Sequence, residues 1–164
     1  MPELTPLVLY PVPVTVTPEM VTLELPLLVS VVPSEPLLPR STFPKLKLVG
    51  AHLGDPWAEE MVYIARRAEN VWVDISHSAF LLYKFHRAEF YRKMQYLKAF
   101  LPDRTLFSTD WPASNRLYSL KDSVDIIKNL KIPEPLKEIG YSEWTQEEKD
   151  KLLGENAAKL LKLK

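Results

Sequence analysis

From residue 45 onward the chain alternates between strand-like and helix-like segments, and this alternation limits the folds that it can form. The strand-like segments are apolar and rich in β-branched residues, whereas the helix-like segments repeat their apolar residues at helical spacing. Strands are predicted at 45–52, 70–76 and 104–110, and helices at 55–69, 79–100 and 117–130. Such alternation indicates parallel strands joined by right-handed helical crossovers. The sequence therefore predicts an α/β fold with a parallel sheet.

Local signals predict where several of these helices begin and end. Asp55 can cap the first helix, with Pro56 at its first helical position. Thr145 and Glu148 have the spacing of a capping box for a short helix through Leu153. Gly154 can end that helix, and a last helical turn or two follows it. The predicted buried positions are Trp57, Met61, Ile64, Ala65, Phe80, Tyr83, Phe90 and Leu97.

Residues 1–44 differ sharply in composition from the rest of the chain. Ten of the 15 prolines lie there, and the segment has no Gly, Asp, Asn or Lys. Because proline removes a backbone donor and fixes φ, this segment predicts one or two short strands with extended connections and little helix. A partly disordered leader is the alternative interpretation. We therefore divide the chain into a Pro-rich segment, 1–44, and a region of βα units, 45–164.

Composition excludes several classes of function. The chain has no cysteine, which excludes disulfides, thiolate metal sites and a cysteine nucleophile. Its 21 basic and 21 acidic residues balance, so no electrostatic feature favours nucleic acid or a membrane surface as a partner. The sequence also lacks the pattern of a secretory signal or a membrane span. A cytoplasmic location is the default expectation.

The predicted strand ends carry side chains that can bind a metal or transfer a proton. In parallel α/β proteins chemistry gathers at the carboxyl ends of strands. These ends carry His52, then Asp74 and His77, and then Asp110. Each has a structural alternative, since an Asp at a strand end often caps a helix or hydrogen-bonds locally, and a lone His is often a hydrogen-bonded structural residue. His86 lies in a predicted helix and is given no role.

Four motifs resemble a known family in the right order along residues 45–163. AHLGDPW resembles the sixth-strand signature of the amidohydrolase-related family, His-Leu-Gly-Gly-Pro-Trp, and ENVWVDIS fits the seventh strand. LPDRTLFSTDWP resembles the eighth-strand signature, which ends in Gly-Thr-Asp-Trp-Pro. EKDKLLGENAAKLLKL is similar to the closing helix of the family. The resemblance covers about three quarters of the chain but only the last third or so of a family barrel.

The resemblance implies a fold, a cofactor and roles for two residues. It implies the last three βα units of a (β/α)₈ (TIM) barrel, with a divalent zinc or manganese ion at the carboxyl ends of the strands. Family members act on small-molecule substrates as hydrolases or non-oxidative decarboxylases. Asp110 would bind the metal or accept a proton from metal-bound water, and His52 would bind beside it and polarise or protonate the substrate. Trp111 and Pro112 would hold the turn that directs Asp110 inward. For Trp57 and Trp111 the residue type itself favours a packing anchor, with a substrate contact as the alternative.

The sequence departs from the family pattern at the remaining metal ligands. No His-x-His pair occurs in the chain. The nearest match to the fifth-strand histidine segment is LPLLVSVVP, which places Ser30 at the histidine position. Of the expected ligands only Asp110 remains, with His52 beside it, whereas a catalytic metal site needs about three protein ligands. We therefore expect less than one equivalent of tightly bound zinc or manganese.

Three interpretations of the chain follow from these observations. It is a fragment or degenerate descendant of a barrel enzyme, with an altered leader. Alternatively, a homo-oligomer or a partner chain completes the barrel, which exposed strand edges would favour. In the third interpretation it is a binding or structural module that keeps the scaffold without the reaction.

Overall fold

A three-stranded parallel sheet forms the centre of the described structure. The computed structural model describes residues 45–163, so the predictions for residues 1–44, including Ser30, lie outside it. The strands are β1 (Leu48–Gly50), β2 (Val71–Asp74) and β3 (Thr105–Leu106). They pair in the order β1-β2-β3, and both pairings are parallel. The parallel sheet that the alternation predicts is therefore confirmed.

Seven α-helices surround the sheet in the described part of the chain. Two 3₁₀ turns, Ala51–Gly54 and Ala113–Arg116, and one π-helical turn, Lys151–Glu155, complete the helical structure there. The α-helices are α1 (Ala58–Arg67), α2 (Ser78–Phe85), α3 (Arg87–Phe100), α4 (Leu120–Lys128), α5 (Glu134–Glu138), α6 (Gln146–Asp150) and α7 (Asn156–Leu161).

The strands are shorter than predicted, and β1 and β3 end where the chain leaves the sheet. After β1, His52 and Leu53 take positive φ and the chain turns into a 3₁₀ turn. After β3, the Phe107 N–H donates to the Leu152 carbonyl at 3.0 Å, so the chain bonds to the π-helical turn instead of β2. A segment with strand-like composition forms a strand only where its backbone pairs with a neighbouring strand. The predicted strand positions are confirmed and their lengths are wrong.

The predictions of one unbroken helix over 79–100 and of a cap at Asp55 are wrong. The segment 79–100 forms two helices, α2 and α3, which meet at His86 with non-helical φ and ψ of −142° and 61°. Asp55 and Pro56 lie before α1, which starts after Trp57 and has no side-chain cap. The Asp55 carboxylate instead faces the Lys93 ammonium group at 3.5 Å.

The C-terminal helices follow the sequence prediction more closely. Thr145 and Glu148 form the predicted capping box at the start of α6. Gly154, however, does not end the helical structure, because it lies within the π-helical turn that continues into α7. The short helix α5 was not predicted, although Pro135 in its first turn is a helix-start signal.

The hydrophobic core lies on both faces of the sheet, because successive strand residues point to opposite sides. On one face Val71 and Val73 pack with α1 and α3. On the other face Val49, Trp72 and Leu106 pack with Leu160 of α7. The sequence predictions hold for the buried residues Met61, Ala65, Phe80, Phe90 and Leu97, whereas Ile64 and Tyr83 are half-buried.

The prediction that Trp57 and Trp111 are packing anchors is wrong in the described structure. The exposed fraction is 45% for Trp57 and 55% for Trp111. Neither residue belongs to the core of residues 45–163. No helix between residues 45 and 163 has the length and hydropathy of a membrane span.

Candidate functional site

The three strand ends lead to one edge of the sheet. Because β1, β2 and β3 are parallel, the residues that follow them emerge on the same side. His52 follows β1, His77 follows β2 and Asp110 follows β3. We call the part of the molecule formed by these three residues the carboxyl edge.

At the carboxyl edge His77 contacts both of the residues that the sequence selected as catalytic. Its ring lies edge-on to the His52 ring, with ring centroids 5.8 Å apart and planes at 67°. Its Nδ1 atom lies 3.7 Å from Oδ2 of Asp110. In the sequence His77 is marked only by its position after a strand. In the fold it lies between His52 and Asp110.

Asp74 is held in a local hydrogen-bond network, as its structural alternative predicted. Its Oδ1 atom accepts hydrogen bonds from the Ser76 N–H at 2.8 Å and the His52 N–H at 3.1 Å. The Ser76 hydroxyl also bonds to this oxygen, at 2.5 Å. The other contact of the hydroxyl is Nδ1 of His52, at 2.8 Å. Asp74 and Ser76, both buried, therefore join the end of β2 to His52.

Backbone strain concentrates at the same edge. Five residues other than glycine have positive φ in residues 45–163, and four of them lie in the turns after the strands. These four are His52, Leu53, His77 and Asp110, with φ between 45° and 62°. A residue with a side chain in this region costs about 1–3 kcal/mol and persists where the surrounding structure requires it, often at functional sites. The peptide bonds Asp55–Pro56 and Trp111–Pro112, which follow His52 and Asp110, are both cis.

The side chains at the carboxyl edge remain accessible. The exposed fraction of the side chain is 37% for His77 and 33% for Asp110, and His52 is half-buried. The Nδ1 atom of His77 is itself buried and has no hydrogen-bond partner. A small molecule or an ion can therefore reach these groups, and one ring nitrogen faces a carboxylate without being hydrogen-bonded to it.

The described residues do not form a complete metal centre. Residues 45–163 contain no group of three or more histidine, aspartate or glutamate side chains that could hold a metal ion. The whole chain has three histidines, and the third, His86, is exposed at the junction of α2 and α3. Because a catalytic metal site needs about three protein ligands, the residues present do not fit the group that the resemblance implies. Zinc and manganese therefore remain predictions.

Sequence reasoning missed two participants at this edge. Ser76 was not predicted to have a role, because serine is common in loops. Its position two residues after Asp74 nevertheless suits a hydrogen bond from its backbone N–H to the Asp74 side chain. His77 was named but given little weight, since a single histidine carries no spacing information. Both become visible only when the parallel pairing of the strands is known.

The parallel sheet, its helical crossovers and the polar carboxyl edge define an α/β protein built like part of a barrel enzyme. The sequence profile described as Amidohydrolase matches residues 40–163. The chain therefore belongs to the amidohydrolase family, and the family resemblance is confirmed. No curated protein matches the chain.

The chain is similar in structure to a TIM-barrel protein. An uncharacterised TIM-barrel protein from Bordetella bronchiseptica is 25% identical with a TM-score of 0.51, over 76% of this chain and 37% of that one. A dihydroxybenzoic acid decarboxylase from Polaromonas sp. JS666, solved with manganese and the inhibitor 2-nitroresorcinol, is 20% identical with a TM-score of 0.48, over 76% of this chain and 36% of that one. The chain thus spans a little over a third of each of these two proteins. The likeness to the TIM-barrel protein confirms the predicted fold class, a partial (β/α)₈ barrel.

Proposed function

We propose that this chain supplies the last-strand part of the active site of a metal-dependent hydrolase or non-oxidative decarboxylase of the amidohydrolase family. The observation that carries the proposal is the convergence of His52, His77 and Asp110 on one accessible edge of the parallel sheet. This edge is where barrel enzymes of this kind carry out their chemistry. Family membership supports the reaction class, and the substrate would be a small molecule.

In this proposal Asp110 is the group that accepts a proton. Its carboxylate is one-third exposed, so a proton donor can reach it, and Nδ1 of His77 lies 3.7 Å from Oδ2 without a hydrogen bond between them. His52 would polarise or protonate the substrate, because it is half-buried and anchored through its main chain and Nδ1 to the end of β2. Positioned general acids and bases typically contribute rate factors of about 10²–10⁴.

The metal in this proposal needs ligands beyond those of the described residues. Asp110 would be one of them and His52 would lie beside it. Residues 1–44 contain neither histidine nor aspartate, so further histidine ligands would have to come from another polypeptide segment. A second copy of the chain or a partner chain that completes the barrel would provide them.

The experiment compares the full chain with His52→Ala and Asp110→Ala in hydrolysis and decarboxylation assays that contain added manganese or zinc. We expect each variant to lower the rate constant about 10²-fold or more, since each removes a proton-transfer group. His86→Ala is the matched control, because His86 is exposed and lies at a helix junction, and it should retain the parent rate. Parent-like rates in both test variants would contradict the proposed roles.

A second candidate is a non-catalytic binding or assembly module that keeps the barrel scaffold. The lack of a three-ligand group in residues 45–163 favours it. The same assays, run on the oligomer or complex that the metal site of the first proposal requires, separate the two proposals: the module interpretation expects no activity there at any added metal concentration.

A further inference from the structure

Ser76 and Asp74 form a hydrogen-bonded chain that ends on one ring nitrogen of His52. The Ser76 hydroxyl lies 2.5 Å from Oδ1 of Asp74 and 2.8 Å from Nδ1 of His52. Ser76 is 3% exposed and Asp74 is 8% exposed, so water does not compete freely for these bonds. The number of available protons therefore determines which group donates and which accepts in each of these hydrogen bonds.

Counting protons gives that direction. A hydroxyl has one proton to donate, and an ionised carboxylate has none. If Ser76 donated its proton to His52, its oxygen and Oδ1 of Asp74 would be two acceptors 2.5 Å apart, with no proton between them. The hydroxyl therefore donates to Asp74, and the ring nitrogen of His52 must donate to the hydroxyl.

We infer that Ser76, oriented by Asp74, is a positioning residue that holds neutral His52 in the tautomer protonated on Nδ1. The Nε2 atom of His52 then carries the lone pair. The contact with Ser76 occupies Nδ1, so Nε2 is the ring nitrogen whose lone pair can take a proton or face a divalent cation. The use of this lone pair at the carboxyl edge rests on the proposed function, whereas the tautomer itself does not.

The backbone supports the same arrangement. The His52 N–H and the Ser76 N–H both donate to Oδ1 of Asp74, at 3.1 and 2.8 Å. These two bonds hold the carboxylate where the Ser76 hydroxyl reaches it, and they hold His52 in its left-handed conformation beside the serine. The ring orientation is thus determined from the main chain as well as from the side chain.

The test is nitrogen NMR of the full chain, in which two-bond proton–nitrogen correlations identify the tautomer of each histidine. The measurement uses a chelator and a pH above 8, where imidazole is neutral. With three histidines in the chain, His77→Ala and His86→Ala assign the signals. We expect the Nδ1-protonated form of His52 to predominate, because a hydrogen bond of about 1.4 kcal/mol shifts the tautomer ratio about tenfold toward it.

Ser76→Ala removes the acceptor and should reduce this ratio about tenfold, whereas Ser76→Thr keeps the hydroxyl and should keep the ratio. A parent chain with His52 protonated on Nε2 would overturn the inference, and so would a folded Ser76→Ala variant with the parent ratio. If Ser76→Ala does not fold, the tautomer of the parent chain decides alone. Because no substrate or metal is present, this result is independent of the His52→Ala and Asp110→Ala assays.

Discussion

Replacing Gly54 with alanine should lower the free energy of unfolding by about 2–5 kcal/mol, the sum of a backbone term and an overlap term. Gly54 has a φ of +74°, which costs a residue with a side chain about 1–2 kcal/mol. A Cβ atom there would also lie 2.5 Å from Cβ and 2.8 Å from Cγ of Met61. Met61 is buried in α1 and its Cβ atom cannot move without the helix, so the overlap adds about 1–3 kcal/mol. Urea denaturation of the full chain measures the change.

Two other glycines, Gly140 and Gly154, supply matched controls that separate the two terms. Gly140 has a φ of +98°, and a Cβ atom added there would have no neighbour within 4 Å, so Gly140→Ala should show the backbone cost alone. Gly154 lies in the π-helical turn, also without a close neighbour, and Gly154→Ala should leave stability unchanged or raise it by about 0.5–1 kcal/mol. Equal effects at Gly54 and Gly140 would show that contact with Met61 is unimportant. Gly54 closes the turn after His52, so the close packing of this turn against Met61 also helps to position the carboxyl edge.

Replacing Arg104 with methionine should destabilise the fold by about 2–3 kcal/mol, because the Ala65 and Val71 carbonyls lose a charged donor, whereas the Ala68 carbonyl keeps the Val71 N–H. The two N–H groups of its Nη1 atom are shared among the carbonyls of Ala65 at 2.5 Å, Ala68 at 2.8 Å and Val71 at 3.0 Å. These carbonyls lie at the end of α1, in the following turn and at the start of β2. Partial burial lowers the pKa of the Arg104 guanidinium, and an arginine nevertheless stays charged at neutral pH. The positive charge also suits the C-terminal end of a helix.

Thermal and urea unfolding of Arg104→Met measure this effect, with Arg66→Met as the control. Arg66 is exposed, and its guanidinium carbon lies 3.9 Å from the centroid of the Phe100 ring. That contact is worth about 0.5–1 kcal/mol at an exposed site, so the control should lose no more than this. Similar losses in the two variants would mean that the carbonyl contacts of Arg104 do not stabilise the chain. Arg104 directly precedes β3, the strand that leads to Asp110, and its side chain bonds to the end of α1. It therefore connects this helix to β3.

The order of the elements could be predicted from the sequence because it depends on local patterns. Apolar runs near Val49 and Val73 indicate strands wherever they pair, and the spacing of Thr145 and Glu148 indicates a capped helix without tertiary information. The family motifs add His52 and Asp110, since each follows a predicted strand. The boundary between residues 1–44 and the βα units remains a prediction.

Other features depend on contacts between distant residues, which a single sequence does not show. The break between α2 and α3 occurs at His86, where neither glycine nor proline marks a helix end. The length of β3 is set by the hydrogen bond that Phe107 makes to Leu152, far along the chain. The role of Ser76 depends on a hydrogen bond to His52 across 24 residues. Parallel pairing sets the register that brings such residues together.

The most direct test of the central claim is a nuclear Overhauser measurement between the imidazole carbon protons of the full, metal-free chain. The account predicts a cross-peak between His52 and His77, whose ring centroids lie 5.8 Å apart in an edge-on arrangement. His86, exposed at the junction of α2 and α3, should show no cross-peak to His52. Sharp signals from His52 and His77 without a cross-peak would contradict the convergence of the strand ends, and with it the proposed site.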